Sequence, residues 1–292
     1  MSLAIEAPPP RPHPFLSYCL KIGGRYDEIK LEHTLRGKTV LITGASHGIG
    51  RALALRLGRA GGHMVLAPRT MTRLQEICDE IAAFGGKARA FALDLTQPQS
   101  IQALADQLAA EGVVPEIVVH NAGKSIRRSI ALSLDRLHDF QRTIGTNYMG
   151  PVQLQLALLP AMMARRSGHI LFVSSIGVRL PPAPLWSAYT ASKSAFDTWM
   201  RCIEPELAAY GITCTCVYFG LVFTRMMAPT RRYHRMPGMT ADEAAATLCR
   251  AILKRPRKVA PWWLFGLTFL ALWFEGLLFR VWRLTYRRKG PS

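Results

Sequence analysis

From residue 38 onward, short continuous apolar runs alternate with segments whose apolar residues recur at helical spacing. "KTVLITGA" (38–45) is apolar without alternation, the pattern of a strand covered on both faces. "GIGRALALRLGRAGG" (48–62) reads as a helix that closes on glycines. The pairing repeats, with a strand over 63–69, a helix over 70–86, a strand over 87–95, a helix over 99–112 and a strand over 115–123. Farther on, "GHILFVSS" (168–175) predicts a strand, a long helix begins near Ala188, and "ITCTCVYFG" (212–220) predicts another strand. Strands joined by helices of this length pair in parallel through right-handed crossovers. The pattern therefore predicts an α/β fold, one doubly wound parallel sheet in a single domain over 38–258, with no internal repeat.

The two ends differ from this body. Residues 1–37 read as an extension, and "MSLAIEAPPPRPHPF" (1–15) lacks the basic stretch and apolar run of a secretory signal. Residues 259–292 read as a hydrophobic, basic tail. It is uncharged from 259 to 274, then meets Glu275, then resumes with "GLLF" before Arg280. A spanning helix needs about 20 apolar residues, so the run is close to that limit. Trp262, Trp263, Trp273 and Trp282 suit a membrane interface, and the flanking "KRPRK" and "RLTYRRKG" suit anionic headgroups. The expectation is a hydrophobic C-terminal membrane-associating helix on the cytoplasmic face, as a short span, a re-entrant helix or an interfacial helix. Basic flanks on both sides favour a monotopic anchor. The alternative is a helix buried against the domain or against a second subunit.

Composition narrows the function. With 292 residues the chain is long enough for one large core, and 49% hydrophobic content excludes a disordered chain. The formal charge is +18, from 37 Lys+Arg against 19 Asp+Glu, which points to nucleic acid, an anionic membrane or phosphate-bearing ligands. Much of the excess lies late in the chain, and no basic stripe interleaved with aromatics runs through its middle. Nucleic acid is therefore not expected as a partner. The six cysteines form no CxxC pair and no Cys/His ligand spacing, so they read as reduced thiols and no metal is expected.

"TGASHGIG" (43–50) joins the first strand to the first helix. Gly44 permits the turn, Gly48 lets backbone approach a pyrophosphate, and Gly50 lets helix and strand pack closely, with Ser46, His47 and Ile49 completing the loop. The helix N-terminus offers N–H groups and partial positive charge to phosphates, so the sheet is Rossmann-like. The second strand ends in Arg69 where an acid would bind a ribose 2′-OH, and a guanidinium suits a 2′-phosphate. The cofactor expected is NADP(H); the alternative is an ordinary surface arginine. "YTASK" places Tyr189 and Lys193 one turn apart, where an ammonium stabilises a phenolate and lowers its pKa. Ser175, at the end of the strand before, is placed to hydrogen-bond a substrate carbonyl.

TGxxxGxG, "NAG" (121–123), Asn147 in "GTNYMG", Ser175, and Tyr189 with Lys193 together resemble the short-chain dehydrogenase/reductase family, over about 38–258. The resemblance implies that Tyr189 donates the proton in reduction and Ser175 orients the carbonyl. It implies that Lys193 binds the nicotinamide ribose and Asn147 holds a proton-relaying water. Asp94 would contact adenine, Asn121, Ala122 and Gly123 would line the cofactor floor, and Thr224 would meet the carboxamide. It also implies a homodimer. This chain has Phe219-Gly220 where the family usually has Pro-Gly, and 14 positions from Ser175 to Tyr189, one more than the commonest gap. Longer stretches, such as "SSIGVRLPPAPLWSAYTASKSAFD", resemble the bacterial fatty acyl-CoA reductases of that fold. They imply NADPH-dependent reduction of a long-chain acyl thioester to the aldehyde. Arg127, Arg128, Arg231 and Arg232, with Arg235, then become candidates for the coenzyme A phosphates; a solvated basic face is the alternative. Two other functions stay open: reduction of a lipid ketone (a 3-oxoacyl thioester or 3-keto sphingoid base), and a non-catalytic NADP(H)-binding membrane sensor or scaffold.

Overall fold

The computed structural model describes residues 22, 25–69, 74–227, 230, 233 and 236–289. Its strands are β1 (Thr39–Thr43), β2 (His63–Ala67), β3 (Lys87–Ala90), β4 (Ile117–His120), β5 (Gly168–Ser175), β6 (Ile212–Phe219), β7 (Val222–Phe223), β8 (Met239–Thr240) and β9 (Lys258–Val259). Seven of them form one parallel sheet in the order β3-β2-β1-β4-β5-β6-β9, and β7 pairs with β8 apart from it. The chain winds outward in both directions from the β1–β4 pair. Crevices at such a reversal, at the carboxyl ends of the strands, are where doubly wound sheets bind ligands. That end of β1 carries the glycine loop.

The helices are α1 (Glu28–Leu35), α2 (Gly48–Arg59), α3 (Leu74–Ala83), α4 (Pro98–Ala110), α5 (Leu137–Ile144), α6 (Gly150–Arg165), α7 (Ser187–Ala208), α8 (Ala241–Lys254), α9 (Leu264–Trp273) and α10 (Glu275–Lys289). They cover both faces of the sheet, which is why its inner strands β1, β4 and β5 are buried almost throughout. Leu53 and Leu57 of α2 pack with Leu248 of α8 on one face; Leu154 of α6 packs with Phe196 and Met200 of α7 on the other. Each such side chain contributes about 1.5–3 kcal/mol by leaving water.

The ends depart from the sequence-based expectation. Within the stretch read as an extension, Asp27 caps α1, its Oδ1 accepting from Lys30 N at 3.0 Å, and Leu31, Leu35 and Ile22 enter the core. The apolar tail is not one helix but a pair, bent by 84° where the uncharged run meets Glu275 and Gly276. Phe274 leaves helical geometry there, and glycine is the poorest helix former after proline. Among the described residues, no single helix is long and apolar enough to cross a membrane.

Two histidines make the fold acid-sensitive. His120 Nε2 donates to Gln155 Oε1 at 2.9 Å. Thr215 gives its own proton to the Pro256 carbonyl at 2.6 Å, so His169 Nε2 donates to Thr215 Oγ1, 2.8 Å away. Both rings are buried, and both Nδ1 atoms lack a hydrogen-bond partner among the described residues. Burial lowers His120 to about 4 and His169 to about 3, the latter helped by Arg255. The unfolded chain takes up these protons near ~6.5, whereas the folded chain does not until far lower pH. Stability therefore falls as pH drops below that value, by roughly 2–3 kcal/mol per pH unit for the pair between pH ~6 and ~4. Urea unfolding midpoints at pH 7, 6 and 5 check this; a flat series would contradict it.

Candidate active site

The glycine loop is shaped by what lies under it. Gly44 has φ +67°, and a Cβ there would stand 2.8 Å from the backbone Cα of Ala122. A Cβ on Gly50 would stand 2.5 Å from both the Gly44 carbonyl oxygen and Asn121 Nδ2. Asn121 Nδ2 donates to the carbonyls of Thr43 and Gly44, each at 3.0 Å. The backbone N–H groups of Asn121 and Ala122 both donate to Thr43 Oγ1 at 3.1 Å. The Asn-Ala-Gly segment is thus stitched to the loop, and the Asn121 amide, expected on the cofactor floor, props the turn. Ile49 packs on the core beneath it. Among the described residues no side chain caps α2, so its first N–H groups face the loop.

A residue the sequence did not single out closes the loop's far side. Arg225 Nη1 lies 2.7 Å from His47 Nε2. A guanidinium only donates, so His47 carries its proton on Nδ1 and gives it to Ser46 Oγ at 3.0 Å. Thr224 packs beside Gly48, where a Cβ would lie 2.9 Å from its Cγ2. The segment after β6 therefore meets the phosphate loop at two successive residues.

Arg69 is exposed just past β2. Thr96 donates to Asp94 Oδ1 through N at 2.9 Å and Oγ1 at 2.7 Å. Burial works to raise the Asp94 pKa, but these bonds with the charges of Arg69 and Arg142 outweigh it and hold the carboxyl below its ordinary value. Lys124 is held below its ordinary value by burial first, then by repulsion from Arg142 and Arg69. Three cations thus share one region, of which the sequence marked only Arg69.

The candidate reacting groups gather at the end of β5 and the start of α7. Ser175 Oγ accepts from Gly177 N at 3.2 Å and hydrogen-bonds Tyr189. Ser174 points into the protein, its Oγ buried without a partner among the described residues. Trp186 meets the Tyr189 ring edge-on at 5.7 Å and stacks on Tyr233 at 6.1 Å, giving the phenol an apolar aromatic wall. Lys193 is buried, with Nζ 2.9 Å from the Val173 carbonyl and 4.8 Å from the centre of the Phe172 ring. Burial lowers it to about 8. The pair behaves differently from the spacing argument. Burial raises the Tyr189 pKa, and Ser175 rather than Lys193 works against it. The outcome keeps the phenol protonated at neutral pH, the state a proton donor requires.

Asn147 lies in a π-helical turn, Gly145–Met149, between α5 and α6. Its Nδ2 donates to the Lys124 carbonyl and to Ser192 Oγ, both at 2.9 Å, and its Oδ1 accepts from Lys124 N at 2.8 Å. Ser192 Oγ in turn donates to the Tyr189 carbonyl at 2.8 Å. The side chain is fully engaged in bracing the site. Near this brace a Cβ on Gly123 would lie 3.3 Å from Lys193 Nζ.

The proposed coenzyme A arginines are divided. Arg128 is ion-paired, its Nε 3.3 Å from Asp139 Oδ2, and its backbone N donates to the Leu185 carbonyl. Arg127 beside it is exposed. Arg231, Arg232 and Arg235 lie outside the described residues.

Residues 38–234 match the family described as short chain dehydrogenase. The chain is 43% identical over 233 residues to a fatty acyl-CoA reductase of Acinetobacter baylyi, covering 80% of this chain and 79% of that one. A short-chain type dehydrogenase/reductase from Mycobacterium marinum superposes with a TM-score of 0.71 at 30% identity, over 80% of this chain and 96% of that one. A metagenomic short-chain oxidoreductase solved in complex with NADP superposes with a TM-score of 0.68 at 29% identity, over 78% and 97% of the two chains.

Proposed function

The chain belongs to the short-chain dehydrogenase family, and from that premise we propose that it is a membrane-associated, NADPH-dependent reductase of long-chain acyl thioesters, giving fatty aldehyde and free thiol. The observation that carries the reading is a proton-donating phenol set against an aromatic wall, in a chain similar to a fatty acyl-CoA reductase. The apolar tail supports it, because a lipid substrate partitions into bilayers while a nicotinamide dinucleotide stays in water. Its place is the cytoplasmic face of a membrane.

The residues present fit a dinucleotide. Gly44, Gly48 and Gly50 leave no room for side chains where backbone must approach phosphate, and the uncapped N-terminus of α2 supplies N–H groups. When bound, the dinucleotide supplies a hydride to the substrate carbonyl carbon. Ser175, whose oxygen accepts from Gly177 and whose hydroxyl bonds Tyr189, turns its proton to the carbonyl oxygen when the substrate enters. Tyr189 gives its proton to that oxygen as charge develops there. The resulting hemithioacetal collapses when its hydroxyl proton returns to the phenolate and the carbon–sulfur bond breaks, the sulfur leaving with the bonding electrons as thiolate and taking a proton from water. Arg127, with Arg231 and Arg232, is assigned to the phosphates of coenzyme A.

The cations Arg69, Lys124 and Arg142 favour the 2′-phosphorylated cofactor. Arg69→Ala is expected to raise the KM for NADPH by about 10- to 100-fold, the worth of a charge-assisted bidentate contact, and to leave the KM for NADH within about twofold. Steady-state kinetics with both cofactors reads this, and an equal change in the two would remove Arg69 from the 2′-phosphate. The substrate is tested by NADPH oxidation in detergent, with palmitoyl-CoA set against a 3-oxoacyl thioester and a 3-keto sphingoid base. Turnover of the ketones alone would replace the thioester reading with the lipid-ketone one.

A further inference from the structure

The inner face of α9 is tied to the substrate side of the active site. Leu264 is fully buried and Ala271 nearly so, while Trp262, Phe269, Leu272 and Trp273 are exposed. Between these two faces, Thr268 Oγ1 lies 2.9 Å from the Arg179 carbonyl and 2.8 Å from the Leu264 carbonyl one turn back. Arg179 follows the single 3-10 turn Ile176–Val178, which itself follows Ser175. The tail helix therefore holds the start of the segment that runs from Ser175 to Tyr189.

Arg179 is also a junction. Its guanidinium lies 5.8 Å from the ring centres of both Tyr218 on β6 and Phe265 on α9. Its Nη1 is 3.9 Å from Asp197 Oδ2. Asp197 is buried on α7, four residues beyond Lys193, and also holds Arg201 Nε at 3.1 Å. Arg179 Nε and Asp197 Oδ1 are buried without hydrogen-bond partners among the described residues. A buried polar junction with unfilled bonding capacity is sensitive to small shifts of what packs on it, because a slight movement makes or breaks a whole bond.

We propose that α9 and α10 dock on an anionic bilayer, and that Thr268 and Arg179 transmit this contact to residues 176–186, ordering the substrate-side segment when the bilayer is engaged. The occupant follows from charge complementarity. α9 carries an exposed aromatic face, α10 beyond the 84° bend carries exposed Arg280 and Arg283, and Lys258 lies with Nζ 3.9 Å from the Phe265 ring centre, in a chain of net charge +18. The proposal rests on the membrane-associated reading above. It gives that reading a consequence, an enzyme whose substrate segment is set only where its lipid substrate is concentrated.

The test uses the full chain with vesicles of phosphatidylcholine, with and without about one-third phosphatidylglycerol. Flotation reads binding, and amide hydrogen exchange reads residues 176–186, so neither depends on which carbonyl the enzyme reduces. Anionic vesicles are expected to float the protein and slow exchange in 176–186 by about threefold or more. Thr268→Val should float equally well yet show no slowing, and Thr268→Ser, which keeps the hydroxyl, should restore it. Flotation without slowing, or an undiminished response in Thr268→Val, would overturn the coupling and leave bilayer association standing. Absence of flotation would overturn both, and equal binding to pure phosphatidylcholine would overturn the anionic docking.

Discussion

Tyr189→Phe is expected to lower kcat by about 10³-fold or more while leaving the dissociation constant for NADPH within about twofold. Phenylalanine keeps the ring that meets Trp186, so the aromatic wall survives, and only the hydroxyl bonded to Ser175 is lost. That hydroxyl is held protonated by burial, while Lys193 directs its ammonium to the Val173 carbonyl and His120 donates to Gln155. Stopped-flow turnover and fluorescence titration of NADPH separate the two effects. Retained turnover would place the proton donor elsewhere. Loss of binding together with turnover would mean that the ring, not its proton, was needed. A dinucleotide-binding sensor without catalysis would have no use for this hydroxyl, so the same variant tells an enzyme from a scaffold.

Gly50→Ala is the second large effect. The added methyl would stand 2.5 Å from a backbone oxygen and from the amide that props the loop, so the first turn of α2 must move off β1. Overpacking of this kind costs about 1–3 kcal/mol. The displacement also pulls apart the N–H groups that face the phosphates, so dinucleotide binding is expected to weaken by about 100-fold. Gly266→Ala is the control, because a Cβ there meets nothing within 4 Å and alanine favours helix. It should leave binding unchanged. Thermal melts and cofactor titrations on the two variants read the contrast, and similar behaviour of both would contradict the packing argument.

What could be read in advance divides along the range of the interactions. The parallel sheet was legible because strands covered on both faces carry continuous apolar runs, and 38–45, 115–123 and 168–175 all do. Gly44, Gly50, Tyr189 and Lys193 were legible because their chemistry is set by spacing within one turn or one helix. What spacing could not give is set by distant neighbours. Arg225 reaches His47 across 178 positions, and although Thr224 beside it was singled out, no spacing rule extends to Arg225. Arg128 is a candidate phosphate contact or part of a solvated basic face by sequence, and its partner Asp139, eleven residues away on α5, is visible only in the fold. The pKa of Tyr189 moves up rather than down because burial, which a sequence does not show, outweighs the hydrogen bond of Ser175. The tail read as one helix because its uncharged run is continuous to 274, whereas Glu275 and Gly276 mark the bend. The stretch before 38 read as an appendage because its few apolar residues do not suggest a core, although Leu31 and Leu35 enter one.

The central claim is that the carbonyl reduced belongs to an acyl thioester. The most direct measurement is mass spectrometry of the products from palmitoyl-CoA and NADPH carrying deuterium in its transferable position. The account predicts hexadecanal with one deuterium on its aldehyde carbon, together with an equal amount of free coenzyme A, and neither product from Tyr189→Phe. Intact palmitoyl-CoA beside a 3-keto lipid that is reduced under the same conditions would contradict it.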